Sequence, residues 1–259
     1  MKKVFKIKNN NLLIDNSIIE YDDIITKRLL SFDEIDEKSN IENHIIINQE
    51  FTNIIIKNKT IVINQKLIKT DIYTILNNVI SNLINDDSNI FLHSSVISHN
   101  DKGILILGDF DTGKTTLCID SQELGFEVNS ADQTWLKKKN NDLYLELGSK
   151  YMVFNQEETI LNNNNVNKKI KIEKILILKG ICDKGIVNIK KLDNNIHKYK
   201  NISKYATWNA REMLVSDDVL LFLNFLHIKE FLLNINTDVY NVRGDSKAII
   251  KVLKEELKW

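Results

Sequence analysis

Eight consecutive residues carry the clearest chemistry in the chain. Gly108-Asp109-Phe110-Asp111-Thr112-Gly113-Lys114-Thr115 has the spacing G-x-x-x-x-G-K-S/T at every fixed position. Glycines permit backbone turns that a side chain would block, so successive N–H groups can face inward around a phosphate. A helix that starts at the lysine adds its positive end to the same spot. The Lys114 ammonium is then expected to reach the β- and γ-phosphates, and the Thr115 hydroxyl to ligate magnesium. With only 8 glycines in 259 residues, a chance match is less frequent than average composition would make it. The expected ligands are a nucleoside triphosphate, ATP in the first instance, and Mg²⁺. They would be held by Gly108, Asp109, Phe110, Asp111, Thr112, Gly113, Lys114, Thr115 and Thr116. Asp109 and Asp111 put two carboxylates beside a polyanion, which costs repulsion unless a cation offsets it. They either face solvent or take part in magnesium or substrate binding.

The elements around the loop must position it. Ile104-Leu105-Ile106-Leu107 reads as a buried strand that runs into Gly108, and a helix is expected from Lys114 to Leu124, stopped by Gly125. Ile90-Phe91-Leu92 and Val96-Ile97 read as neighbouring strands, joined to the loop strand by a turn at Asn100-Asp101-Lys102-Gly103. Further strands are expected at Leu143 to Leu147, Tyr151 to Phe154, Ile175 to Leu178 and Ile186 to Ile189. Lys137-Lys138-Lys139 with Asn140-Asn141 reads as a charged hairpin tip. Toward the C-terminus, helices are expected over 206–214, 219–228 and 246–257, with a last strand at Val239 to Val242. The first 68 residues hold short β-branched runs, among them Leu12-Leu13-Ile14, Ile18-Ile19 and Ile45-Ile46-Ile47, separated by Asn, Asp and Lys; they predict a β meander. Ile72, Ile75, Leu76, Val79, Ile80, Leu83 and Ile84 then fall at helical spacing over 70–85. The expected organisation is a β-rich segment plus helix over 1–88, with a possible role in docking substrate, and a phosphate-loop domain over 89–259.

Composition narrows the function classes. Lysine and arginine number 35 against 35 aspartates and glutamates, so no basic excess suggests a general grip on nucleic acid. Cys118 and Cys182 are too few for a disulfide framework, and no cysteine pair has metal-ligand spacing. No apolar run reaches the roughly 18 residues of a membrane span, and the alternating start Met1-Lys2-Lys3-Val4-Phe5-Lys6 is unlike a signal peptide. The expectation is a cytoplasmic protein without a membrane or nucleic-acid partner.

Residues 91–136 resemble the HPr serine kinase/phosphorylase family and its relatives, including kinases that modify ribosomally made peptides such as lasso peptides. The matching pieces are His93-Ser94-Ser95, then Lys102-Gly103-Ile104-Leu105-Ile106-Leu107-Gly108, then Gly113-Lys114-Thr115-Thr116-Leu117, then Gly125-Phe126-Glu127-Val128-Asn129-Ser130-Ala131-Asp132. The tail, with Val239-Tyr240-Asn241-Val242 before Gly244-Asp245, is similar as well. The resemblance implies an α/β fold, a mixed sheet around the phosphate loop related to phosphoenolpyruvate carboxykinase. It implies ATP-dependent phosphorylation of a serine or threonine in a peptide or small protein, and a homo-oligomeric habit. Lys114 and Thr115 would serve ATP and magnesium, Asp132 would be the general base or a metal ligand, and His93 would lie near the phosphates. The chain departs from the family at one point: Ala131 and Gln133 flank Asp132, so one carboxylate stands where the family has two. Asp111 and Glu127 are the acids that could make up the difference.

Arg211, in Trp208-Asn209-Ala210-Arg211-Glu212, is a candidate for stabilising a transferring phosphate, or else one half of a solvated pair. Arg243, beside Gly244-Asp245, is a weaker candidate of the same kind. His44, His99, His197 and His227 are scattered and read as structural or solvated. Two rival functions stay open: a small-molecule kinase, and a nucleotide-binding accessory protein that has lost catalysis with its second acid.

Overall fold

The structure is a computed structural model, and it describes residues 1–27, 32–36, 40–48, 52–56, 59–63, 68–154, 157–161, 163–182, 185–206 and 218–256. The β-branched runs of the N-terminal part form strands β1 (Lys2–Ile7), β2 (Asn10–Asn16), β3 (Glu34–Ile35), β4 (Asn43–Ile47), β5 (Thr52–Ile56) and β6 (Lys59–Ile63), with a short helix α1 (Asp22–Lys27) after β2. They make one sheet in the order β3-β1-β2-β4-β5-β6. The expected meander breaks after β2. The chain turns through Ile19–Tyr21 and α1, adds β3 outside β1, and returns with β4 parallel to β2. Ile18 and Ile19, expected on a strand, fall at that turn, and Ile19 is 85% exposed.

Helix α2 (Lys69–Ile84) follows. Its stripe of Ile72, Ile75, Leu76, Val79, Ile80 and Leu83 is buried against Phe5, Ile7, Leu12, Ile14, Ile45, Ile47 and Ile54 of the sheet. The same core takes in Phe91 from the next part of the chain, and Trp135 and Leu147 pack on it. α2 is therefore packed between two sheets, and burial of apolar area at about 25 cal/mol per Å² holds it on both sides.

The second sheet is mixed. Its strands are β7 (Asn89–His93), β8 (Ser95–His99), β9 (Lys102–Gly108), β10 (Glu127–Ser130), β11 (Gln133–Lys139), β12 (Asp142–Gly148), β15 (Ile170–Ile181), β16 (Val187–Lys191) and β17 (Asp238–Gly244). A separate hairpin is formed by β13 (Tyr151–Phe154) and β14 (Glu157–Ile160). The main order is β10-β8-β9-β15-β12-β11-β7, with β17 beside the second half of β15 and β16 beyond it. β9, β15 and β17 are mutually parallel; the other pairings are antiparallel. Asn140 and Asn141 take left-handed φ values of 53° and 65°, the geometry of a two-residue turn between β11 and β12.

Two helices pack on one face of the parallel strands: α3 (Lys114–Glu123), which follows the phosphate loop, and α7 (Ser246–Glu256) at the end of the chain. Ile104, Ile106, Leu176 and Val242 point to Leu117, Cys118, Ile249 and Ile250 on that side. Leu105, Leu107, Ile175 and Ile177 point to the other side, where α5 (Asn195–Ile202) and α6 (Asp218–Leu233) bury Ile202, Ile228 and Phe231. The period-2 alternation of a strand buried on both faces produces this division. A short helix α4 (Asn163–Val166) lies against β10. The helix expected over 206–214, and Arg211 within it, fall outside the described residues except for Ala206, which caps the turn Ser203–Tyr205. Among the described residues, no helix is long and apolar enough to cross a membrane.

Candidate functional site

The loop 108–115 connects a buried strand to a helix, as its sequence requires. β9 ends at Gly108 and α3 begins at Lys114. Gly113 has φ +93°, and a Cβ there would come within 2.2 Å of Ile181 Cγ1, so both backbone conformation and space demand glycine. A Cβ on Gly108 would lie 2.4 Å from Thr112 Oγ1. The Thr112 hydroxyl donates to the Asp109 carbonyl at 2.8 Å and tightens the turn. No side chain caps α3. Among the described residues, the amides of Gly113, Lys114, Thr115 and Thr116 have no hydrogen-bond acceptor, so the positive end of the helix is open.

Lys114 is buried and folds back over the loop. Its ammonium donates to the carbonyls of Gly108 at 2.7 Å and Asp109 at 3.3 Å. Burial lowers its pKa, while the carboxylate of Asp132 leads the opposing influences. Asp109, Phe110 and Asp111 are exposed. Asp109 is not idle: Lys204 donates to both of its oxygens at 2.9 and 3.0 Å, and this bond holds the carboxyl below its usual range.

The second half of the site comes from two bent strands. β7 and β8 run on from one another through Ser94, and β10 and β11 run on through Ala131 and Asp132. β10 pairs with β8 and β11 with β7, so the two bends lie side by side, and the Ser94 amide donates to the Asp132 carbonyl at 3.0 Å. A bend frees a residue from the ladder, and the freed residue here is Asp132. Ser149, just after β12, fastens the bend from below: its Oγ accepts the amides of Asp132 at 2.9 Å and Gln133 at 3.0 Å.

Register places the two halves together. Ser95 lies opposite Ile106, Gln133 opposite His93, and Leu178 opposite Gly108. The loop, His93 and Asp132 thus meet at the carboxyl ends of the parallel strands, the customary edge for ligands in α/β sheets. His93 is buried, with its ring 5.6 Å from that of Phe110 and Nδ1 3.5 Å from Asp132 Oδ1. Burial depresses its pKa to about 4, against the pull of Asp132, so at neutral pH the contact is a neutral imidazole beside a carboxylate rather than an ion pair. The Asp132 side chain is 39% exposed.

Its other oxygen is occupied by a residue that the motif does not predict. Tyr73 of α2 donates to Asp132 Oδ2 at 2.6 Å. Gln133 Nε2 in turn donates to the Tyr73 oxygen at 2.8 Å and to Asn77 Oδ1 at 2.7 Å. Burial, and then the nearby charge of Asp132, push the Tyr73 phenol well above its usual pKa. Asn77 is fully buried on a face of α2 that also buries Thr74 and Ser81, and that polar strip on an amphipathic helix is the sequence signal that could have drawn attention to Tyr73.

The remaining candidates separate from this edge. Glu127 lies opposite Ser98, whose own partner is Gly103, roughly 16 Å down the strand from Gly108 at about 3.3 Å per residue. It pairs with Lys168 at 3.0 Å and is not a substitute for the missing acid. Asp111, with φ 58°, sits on the exposed part of the loop. Arg243 is exposed on β17, one residue before Gly244. His99 bonds the Gly125 carbonyl and His227 pairs with Asp87, both on the surface. Cys118 is fully buried under the loop helix, which pushes its thiol up to about 12.

The residues fit an anion with a metal. Open amides, a buried ammonium and a hydroxyl at the start of α3 suit phosphate oxygens, and Gly108 and Gly113 let the loop pack closely on Thr112 and Ile181. Magnesium keeps several waters and takes phosphate oxygens, so Thr115 and a single carboxylate, Asp132, form a sufficient protein contribution. Among the described residues no group of three or more His, Cys, Asp or Glu side chains could hold a metal ion.

No family model and no curated protein matches the chain. Among solved structures the chain is similar to the HPr(Ser) kinase/phosphatase from Coxiella burnetii, at 14% identity and a TM-score of 0.36, over 65% of this chain and 95% of that one.

Proposed function

We propose that the chain is an ATP-dependent kinase that transfers the γ-phosphoryl group to a serine or threonine hydroxyl of a peptide or small protein. The single observation behind this reading is the meeting of an uncapped helix start, a buried lysine and a half-exposed carboxylate at one sheet edge. The sequence resemblance over residues 91–136 supports the same activity and the same choice of acceptor class.

Phosphoryl transfer needs positioning and charge neutralisation more than covalent help. When bound, the nucleotide supplies the phosphoryl group and magnesium offsets its charge. The amides of Gly113 to Thr116 and the Lys114 ammonium hold the phosphates. Thr115 offers its hydroxyl to the metal. Asp132, through the oxygen that Tyr73 does not hold, takes the proton of the acceptor hydroxyl or holds the metal. His93, neutral at pH 7, packs behind Asp132 without competing for the phosphates. The acceptor enters past Phe110, which is 71% exposed at the loop.

Calorimetry with MgATP and MgGTP, followed by incubation with serine-containing peptides and mass spectrometry, tests this reading. Heat of binding that disappears in Lys114→Ala, with a gain of one phosphoryl mass on a peptide, is the expected result. Binding without transfer to any peptide or metabolite would leave an accessory nucleotide-binding protein. Saturable transfer to a metabolite alone would make the chain a small-molecule kinase. Absence of binding to any nucleotide would end the proposal.

A further inference from the structure

The acid-bearing turn is held by a helix from the other sheet, and the direction of the hydrogen bonds in that contact is fixed. Gln133 Nε2 can only donate, and it donates to the Tyr73 oxygen at 2.8 Å. The tyrosine proton is therefore left for Asp132 Oδ2, 2.6 Å away. Gln133 is itself fixed by its second bond, to Asn77 Oδ1. Tyr73 and Asn77 are four residues apart on α2 and so lie one above the other on the same face. The far side of Asp132 is bounded by His93, whose Nδ1 faces Oδ1. One carboxylate oxygen is thus committed to Tyr73, and the other lies beside His93, with Lys114 close enough to the carboxylate to feel its charge.

We infer that Tyr73, oriented by Gln133, is a positioning residue for Asp132: it fixes the carboxylate so that Oδ1 alone is presented to the bound metal–nucleotide or to the acceptor. The inference rests on the proposed kinase reading. It also assigns a role to Gln133: beside the single acid this chain places an amide that sets that acid through a phenol. Tyr73 acts through Asp132, so removing its hydroxyl should spare nucleotide affinity and damage what Asp132 does.

The test compares the full-length chain with Tyr73→Phe, which keeps the ring in its core and deletes one oxygen. Two readouts are taken. The first is the split between kcat and KM for phosphoryl transfer. The second needs no turnover: the ratio of the ATP dissociation constant in EDTA to that in excess Mg²⁺, measured by calorimetry, with Asp132→Asn as the reference for complete loss of the carboxylate. In Tyr73→Phe, kcat is expected to fall about 10-fold, the size of one hydrogen bond to a charged group, with KM for ATP unchanged. The magnesium ratio is expected to move part of the way toward that of Asp132→Asn. Gln133→Met, which keeps Tyr73 and removes the donor that turns its hydroxyl, should give the same pattern more weakly and covers the case in which Tyr73→Phe fails to fold. A variant with parental kcat and parental magnesium ratio overturns the inference. So does equal loss of kcat, nucleotide affinity and melting temperature, which marks a purely structural residue. If the parent chain transfers no phosphoryl group, the kinase reading fails by itself, and the magnesium ratio still decides whether Tyr73 sets Asp132.

Discussion

The two halves of the site are built by different means. The loop half is a backbone object: two glycines, a helix start without a cap, and amides that need no particular side chain to point them. The acid half is a side-chain object. Asp132 stands where it does because Ser149 takes two amides, Tyr73 takes one oxygen, and Gln133 aims Tyr73. Backbone construction concentrates the information in eight adjacent residues. Side-chain construction spreads it over partners 16 to 60 positions away. The first kind is vulnerable only within its own short stretch, at its glycines, Lys114 and Thr115, and the second can be disturbed from several places.

Substitutions can break this contrast or sharpen it. The largest effect is expected from Asp132→Asn. Loss of a general base costs about 10²- to 10⁴-fold in transfer rate, while ATP affinity in the absence of magnesium should stay within about two-fold of the parent, because the loop half is left whole. Radiolabel transfer and calorimetry would measure the two quantities, and an unchanged rate would remove Asp132 from the mechanism.

Next comes acid. His93 has its pKa lowered to about 4 in the folded chain, against about 6.5 when unfolded. Between those values the unfolded chain binds the extra proton, so stability is complete above about pH 6.5 and is lost as pH falls toward 4. The loss over that window is on the order of 3 kcal/mol, at about 1.4 kcal/mol per unit. Urea midpoints of magnesium-free protein at pH 7.5 and 4.5, compared with those of His93→Gln, isolate this contribution. Equal pH dependence in both proteins would contradict it.

Ser149→Ala leaves two amides at the bend without their acceptor and should cost about 1–3 kcal/mol in chemical unfolding, together with a slower transfer step. The smallest effect belongs to Lys204→Ala. Its bond to Asp109 joins a 42% and a 68% exposed side chain, and pairs of that kind contribute below about 1 kcal/mol. A large change in nucleotide affinity in that variant would show that the loop half, too, leans on a distant side chain, and the contrast would weaken.

The same contrast explains what the sequence revealed. Gly108, Gly113, Lys114 and Thr115 are legible because their function follows from local backbone geometry, and the strand and helix around them follow from apolar runs of period 2 and 3.6. The hairpin at Asn140-Asn141 is legible for the same local reason. Asp132 and His93 were reached through the family resemblance, and their convergence depends on the register of β7 with β11, which no local pattern encodes. Tyr73 was hidden among the apolar residues of α2, since a phenol on such a stripe reads as core. The parallel return of β4 beside β2 was also hidden, because each short run has the same composition whichever neighbour it chooses.

Helix α2 brings a further constraint, one of phase. An α-helix advances about 100° per residue, so adding or deleting one residue of α2 between Tyr73 and the buried stripe that follows it would swing its hydroxyl about a quarter-turn away from Asp132 while leaving the helix as apolar as before. Length can vary in the connection before α2 without that penalty. Within the helix, the count of residues is part of what places Tyr73 against Asp132, and a lineage of this chain can change nearly any of the other letters more safely than it can change their number.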